Sequence, residues 1–234
     1  MKKIFFTLAI LTLALTSCKK KGCTDSTATN RNEKAKKDDG SCLYRPFLTI
    51  NGEAQMTINV GGAYSDAGAT AVNKDGSSVV VSTDSSSFDK TQTGVYYINY
   101  AAANVNGTTT GSRKVTVVIG ASNWTSPTWA VTSTCSGTSF PLSNSPVISA
   151  GAGANGISID NMFNLVGGTA TGTVNGAAIS IPNQTINITL GDINFSGIGT
   201  MNAAATQFQI TYTYDNTTPL IGGNGTCVAI YDKQ

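Results

Sequence analysis

Histidine is absent from the 234 residues. Its absence removes Ser-His-Asp and Cys-His catalysis and every histidine metal site. Charge is scarce: Asp, Glu, Lys and Arg make up 12% of the chain, roughly half the usual share. From residue 120 onward the only charged side chains are Asp160, Asp192, Asp215, Asp232 and Lys233. That part therefore has no basic face for nucleic acid, and nucleic acid is not expected as a partner. Residues 47–119 hold no helix-period stretch of useful length, and there is no cysteine between Cys42 and Cys135. What takes the place of charge is Gly, Ser, Thr, Asn and Ala around short apolar runs. This is the composition of an exported β-protein with many tight turns.

The one long apolar run lies at the start. Lys2 and Lys3 precede Ile4 to Leu15, and Leu15-Thr16-Ser17-Cys18 follows. The run is about a dozen residues, short of the ~20 that a spanning helix needs. Charged start, apolar middle and small-residue end are the parts of an export signal. The last four residues resemble the lipobox of bacterial lipoproteins. The resemblance implies cleavage after residue 17, lipid on Cys18, and a chain held at the outer membrane through that lipid. Lys19, Lys20 and Lys21 stand where Bacteroidetes surface lipoproteins often carry acidic residues, so periplasmic and cell-surface orientations both stay open.

Four cysteines remain. Three pairings are possible, and the one that keeps each bond within one unit joins Cys23 to Cys42 and Cys135 to Cys227. An exported location permits both. Residues 18–46 hold almost nothing apolar and read as a tether whose loop the first bond staples. Cys23-Thr24-Asp25, Asn30 and Asp38-Asp39-Gly40-Ser41-Cys42 resemble a short module of Bacteroidetes surface and secreted proteins, with Arg31 and Glu33 departing from it. Asp25, Asn30, Asn32, Asp38 and Asp39 offer oxygen ligands to Ca2+ in one reading and local turns in the other. The spacing is not that of an EF-hand, and the intervening lysines and arginine oppose a dication.

Residues 47–119 carry β-branched and aromatic runs broken by turn residues every eight to twelve positions, the pattern of a sandwich. Asn51-Gly52 is a hairpin-type dipeptide. Tyr96, Ile98 and Tyr100 share one strand face and Val95, Tyr97 and Asn99 the other. Tyr64-Ser65-Asp66-Ala67-Gly68, Gly94 to Tyr100 and Arg113-Lys114-Val115-Thr116-Val117 resemble the bacterial Ig-like domain found in an insecticidal crystal protein and many surface proteins. The resemblance implies a spacer or binding module without catalysis. Ala101-Ala102-Ala103 departs from the family where an Asp and an Asn are common.

Residues 120–234 read as a second, antiparallel meander of about eight strands. Asn175-Gly176 marks a type I′ hairpin, Pro182 separates two strands, and Phe208 to Tyr214 alternates strictly. If Cys135 pairs with Cys227, first and last strands are neighbours, and the sheet approaches a small barrel or a sandwich. The fold expected is thus all-β: signal peptide 1–17, tether 18–46, Ig-like sandwich 47–119, and β-domain 120–234. The order resembles small Bacteroidetes lipoproteins with a lipocalin-like or barrel-like second domain.

Three functions are weighed. A binding or display module, within a glycan-uptake system or beside an outer-membrane protein partner, would stack a sugar on Tyr212 and Tyr214 with Asp215 and Asn216 close by. A lipocalin-like carrier would hold a small apolar ligand inside. A glycosidase-type hydrolase would pair carboxylates among Asp160, Asp192, Asp215 and Asp232, although turns explain most of these. The reading taken is non-enzymatic, with no cofactor.

Overall fold

The computed structural model describes residues 20–125, 127–136, 142–163, 167–188, 191–217 and 222–234. The expected signal peptide and the expected lipidation at Cys18 lie outside these residues. The described chain is all-β apart from one short helix. It forms two compact units. One comprises the described residues up to Thr49 with Thr70–Ser82 and Ala101–Thr110, and the other comprises Ile50–Ala69, Thr83–Tyr100 and Gly111–Gln234.

Seven strands make the Ig-like segment: β1 (Phe47–Ile50), β2 (Gln55–Asn59), β3 (Ala69–Val72), β4 (Ser78–Val79), β5 (Val81–Asp84), β6 (Gly94–Asn104) and β7 (Gly107–Val118). They fall into a sheet ordered β1-β3-β4 and a sheet ordered β2-β7-β6-β5. Asn51-Gly52 does not make the hairpin its composition suggests. β1 and β2 join different sheets, and β2 runs parallel to β7. Gly52, at φ 70°, takes the left-handed conformation that lets the chain change direction there. On β6 the inward face is that of Ile98 and Tyr100, while Val95 and Tyr97 are exposed.

With no disulfide in this segment, one buried cation ties it together. Arg113 is 1% exposed. Its Nε lies 3.0 Å from Asp66 Oδ1 and donates to the Tyr100 hydroxyl. Its other nitrogens donate to the carbonyls of Glu53, Asn51 and Gly68. Tyr100 donates to the same Asp66 oxygen at 2.6 Å. Burial alone would raise the Asp66 pKa, but the Tyr100 hydroxyl, the Gly68 N–H and the Arg113 guanidinium outweigh it and hold the carboxyl below its usual 3.8.

After the helix α1 (Ala121–Thr125), eight strands form one antiparallel sheet: β8 (Trp129–Cys135), β9 (Val147–Ala150), β10 (Gly156–Asp160), β11 (Ala170–Asn175), β12 (Ala178–Ile188), β13 (Gly191–Met201), β14 (Gln207–Asn216) and β15 (Gly223–Lys233). Their order is β8-β15-β14-β13-β12-β11-β10-β9. It is a meander whose first strand has crossed to the far side of the last. Cys135 faces Cys227 directly in the β8–β15 ladder, and the two are bonded. β8 and β9 are the ends of the order, and a backbone bond from Val131 N–H to Asn144 C=O, at 3.0 Å, reaches toward that gap.

Two details refine the sequence reading. Pro182 does not end a strand. β12 runs through it, with a bulge between Ile181 and Gln184 that accommodates the residue lacking an N–H. In the β11–β12 hairpin, Asn175 pairs with Ala178, so the two loop residues are Gly176 and Ala177. Gly176 has φ 56° and Ala177 is not left-handed, which is the II′ pattern rather than I′. The inner face of the sheet packs into a single core with Trp124 of α1, whose indole N–H donates to Gly176 C=O.

Two stability outcomes follow. Replacing Cys135 and Cys227 with serine releases a loop of sequence separation 92. It should cost about 4–5 kcal/mol in the chain-entropy account, read as a lower denaturant midpoint. Arg113→Leu takes the guanidinium from a partly exposed Asp66 carboxylate and from the carbonyls of Asn51, Glu53 and Gly68, and should cost about 1–3 kcal/mol near neutrality. The wild-type contribution of Asp66 is complete above pH 3.8 and is lost as pH falls through its lower folded value, so the gap between the two proteins narrows in acid.

Candidate functional site

The C-terminal residues expected to face a sugar are turned inward. β14 alternates without a break, placing Phe208, Ile210, Tyr212, Tyr214 and Asn216 on the buried face. Tyr212 is 0% and Tyr214 7% exposed. Opposite Tyr212 in the ladder stands Gly197, where a Cβ would come within 2.5 Å of the ring. The glycine thus makes the space the tyrosine fills. The Tyr212 and Tyr231 hydroxyls bond to each other at 2.5 Å, and Tyr214 donates to Ser136 C=O. Burial pushes both Tyr212 and Tyr231 well above the ordinary phenol pKa. The stacking platform is therefore corrected: these rings are core. Asp215 lies on the opposite, exposed face, lining a shallow polar hollow with Asn194, Ser196 and Thr213.

The aromatic interior also bears on the carrier reading. Phe208 stacks on Tyr231 at 4.2 Å and meets Trp129 and Trp124 at 4.7 and 5.0 Å, while Phe195 meets Tyr212 and Phe163 at 4.6 and 5.6 Å. Side chains that would line a ligand cavity are packed on one another.

The four aspartates considered for hydrolysis lie on or near strand ends of the sheet. Asp192 and Asp215 lie on the exposed face of neighbouring strands. Asp160 accepts from Ser158 and Thr169, and Asp232 from Gln207. The oxygens considered for calcium are turned to the tether's own backbone. Asn30 Oδ1 accepts from Leu43 N–H, Asn32 Oδ1 from Lys34 N–H, Asp38 Oδ1 from Gly40 N–H and Asp39 Oδ1 from Ser41 N–H. Among the described residues no three acidic or sulfur side chains gather to hold a metal.

The site that sequence reasoning passed over is Tyr44, in the unit that contains the tether. Cys23 is bonded to Cys42, and the Asn30 side chain bridges the far side of the loop by donating to Ser41 C=O at 2.6 Å and accepting from Leu43. This fixes the chain entering Tyr44. The Tyr44 hydroxyl donates to Asp25 Oδ2 at 2.7 Å. Its carbonyl accepts from the side-chain amides of Asn104 and Asn106 at 2.9 and 3.1 Å. Lys74 Nζ sits 4.8 Å from the centre of its ring and 5.9 Å from that of Phe47.

Two open clefts flank this tyrosine. One, of about 500 Å3, is lined by Tyr44 with Asn73, Lys74, Asp75, Asn104 and Asn106 among others. The other, of about 600 Å3, has Tyr44, Pro46, Phe47 and Leu48 as an apolar floor and Thr27, Thr29, Arg45 and Thr109 around it. Phe47 is 44% exposed. The signal available in the sequence was the apolar cluster Leu43-Tyr44-Arg45-Pro46-Phe47 directly after Cys42, in a segment otherwise polar.

Residues 48–117 match the family model described as bacterial surface protein, Ig-like domain. This segment is similar to Ig-like domains of that surface-protein type. No curated protein matches the chain. Among solved structures, a lipoprotein from Bacteroides thetaiotaomicron aligns at 17% identity and TM-score 0.32, over 80% of this chain and 99% of its own. The CBM51-2 and INT domains of ZmpB from Clostridium perfringens align at 15% identity and TM-score 0.25, over 79% of this chain and 43% of theirs. At those scores neither likeness carries weight for fold or function. No helix among the described residues is long and apolar enough to cross a membrane.

Asp25 reports directly on this geometry. The Thr27 N–H, the Tyr44 hydroxyl and the Thr27 hydroxyl, in that order, lower its pKa from 3.8 to about 2. Tyr44→Phe removes one donor of the three, so the Asp25 pKa should rise toward 3.8 without reaching it. A carboxyl-carbon NMR titration reads the shift, and an unchanged value contradicts the contact.

Proposed function

We propose that this is a lipid-anchored, non-catalytic envelope protein that binds saccharide at the outer membrane, as one component of a glycan-uptake system. The observation that carries the reading is the pair Tyr44 and Phe47. They are aromatic side chains held in an open, hydroxyl-rimmed cleft rather than in the core. A half-exposed ring offers its face to the C–H side of a sugar, and neighbouring hydroxyls and amides meet sugar hydroxyls. The surface-protein Ig-like segment, next to a chain start that reads as an export and lipidation signal, supports placement at the cell exterior. The lack of histidine supports binding without turnover.

Electrophoresis of the full chain through gels containing polysaccharides tests this. Retarded migration in at least one polysaccharide gel, with no release of reducing sugar from any, is the expected result. Free migration in every gel points to a spacer and contradicts binding; sugar release contradicts the non-catalytic assignment.

A further inference from the structure

The cleft on the Phe47 side of Tyr44 has a chemistry more specific than sugar binding in general, and resting on the reading above we propose that it takes an acidic saccharide, one bearing carboxylate groups. Three threonine hydroxyls line it, and each directs its hydrogen into the protein. Thr27 donates to Asp25 Oδ1, Thr29 to Leu43 C=O and Thr109 to Pro46 C=O. What they turn to the cleft is acceptor lone pairs, which suit a ligand rich in hydroxyl donors. The single charged residue lining the cleft is Arg45. Its side chain lies against Gly107, where a Cβ would come within 3.0 Å of Nε, so the glycine gives the guanidinium its resting place.

Arg45 has no carboxylate partner among the described residues. The one ion pair among the described residues is Arg113 with Asp66. No Asp or Glu is among the residues lining this cleft, and Asp25 accepts from Thr27 and Tyr44, which do line it. An arginine presents a planar fork of donors that matches a carboxylate in a bidentate pair. The site thus combines a ring face for the sugar body, acceptors for its hydroxyls and a cationic fork for its acid group. A purely apolar ligand would leave the threonine acceptors unused and Arg45 without a carboxylate, and a neutral sugar would leave Arg45 without one.

Each part is held before any ligand arrives. The disulfide, the Asn30 bridge and the amides of Asn104 and Asn106 set the backbone around Tyr44. Such preorganisation reduces the ordering cost of binding. It also explains why a segment without a core is fixed so thoroughly, since a mere spacer does not need its aromatic residues oriented.

The test is equilibrium binding of the full chain, purified in detergent, to tetragalacturonate, to neutral maltotetraose and to phosphatidylglycerol vesicles. Tetragalacturonate should bind more tightly than maltotetraose, and its affinity should fall as salt rises from about 50 mM to about 500 mM. Arg45→Ala and Phe47→Ala should each weaken tetragalacturonate about tenfold with an unchanged melting temperature. Tyr97→Ala, an exposed aromatic of the other unit, should not. If tetragalacturonate binding survives both cleft substitutions, this site is overturned and saccharide binding stands. A preference for maltotetraose overturns the acidic assignment. Binding to vesicles alone, or to none of the three by a folded chain, overturns the site; failure to bind polysaccharides of any kind overturns the broader reading as well.

Discussion

A sheet with one apolar face must wrap that face around something and must also dispose of its edges. In the C-terminal part both needs are met by one contact, the ladder that sets β8 against β15 and carries the Cys135–Cys227 bond across it. Because of it the strand that starts the meander ends up beside the strand that finishes it. The inner faces of eight strands then converge on one core, with Phe208 in contact with Trp124, Trp129 and Tyr231. Side chains that sequence alone offers as ligand contacts become the filling. The outer face is mainly Thr, Asn, Gln and Asp, with Val147, Ile198 and Val228 exposed among them.

The tether solves the opposite problem. It has too few apolar residues to fold around a core, and it is ordered instead by a covalent loop and by side chains that bond to their own backbone. Asp25, Asn32, Asp38 and Asp39 each close a local turn, which is what short polar side chains do best. The result is a rigid polar scaffold on which the few large apolar residues, Tyr44 and Phe47, remain partly in solvent. A larger core would have buried them, as it buried Tyr212.

These two outcomes explain what could be read from the sequence. Strict alternation from Phe208 to Tyr214 located β14 and its face, because period two has one structural meaning. It could not say which face was inward until Gly197 was placed opposite Tyr212. The hairpin at Asn175-Gly176 was found but lay one residue off register, since a glycine serves the first or second position of different turns. Asn51-Gly52 was misread because a turn dipeptide shows that the chain bends and not which sheet it enters. Pro182 marks a break in the sequence pattern where the backbone only bulges, so one strand reads as two. Tyr44 was missed for a different reason: its importance comes from partners sixty residues away, Asn104 and Asn106, which no local pattern connects to it.

Both the packed β-domain and the open cleft depend on crosslinks that stay local, one within the tether and one between neighbouring strands. Mass spectrometry of the unreduced full chain after proteolysis tests this most directly. The expected result is one peptide pair joined through Cys23 and Cys42 and another through Cys135 and Cys227. A peptide joining Cys23 or Cys42 to Cys135 or Cys227 would contradict the arrangement of both parts.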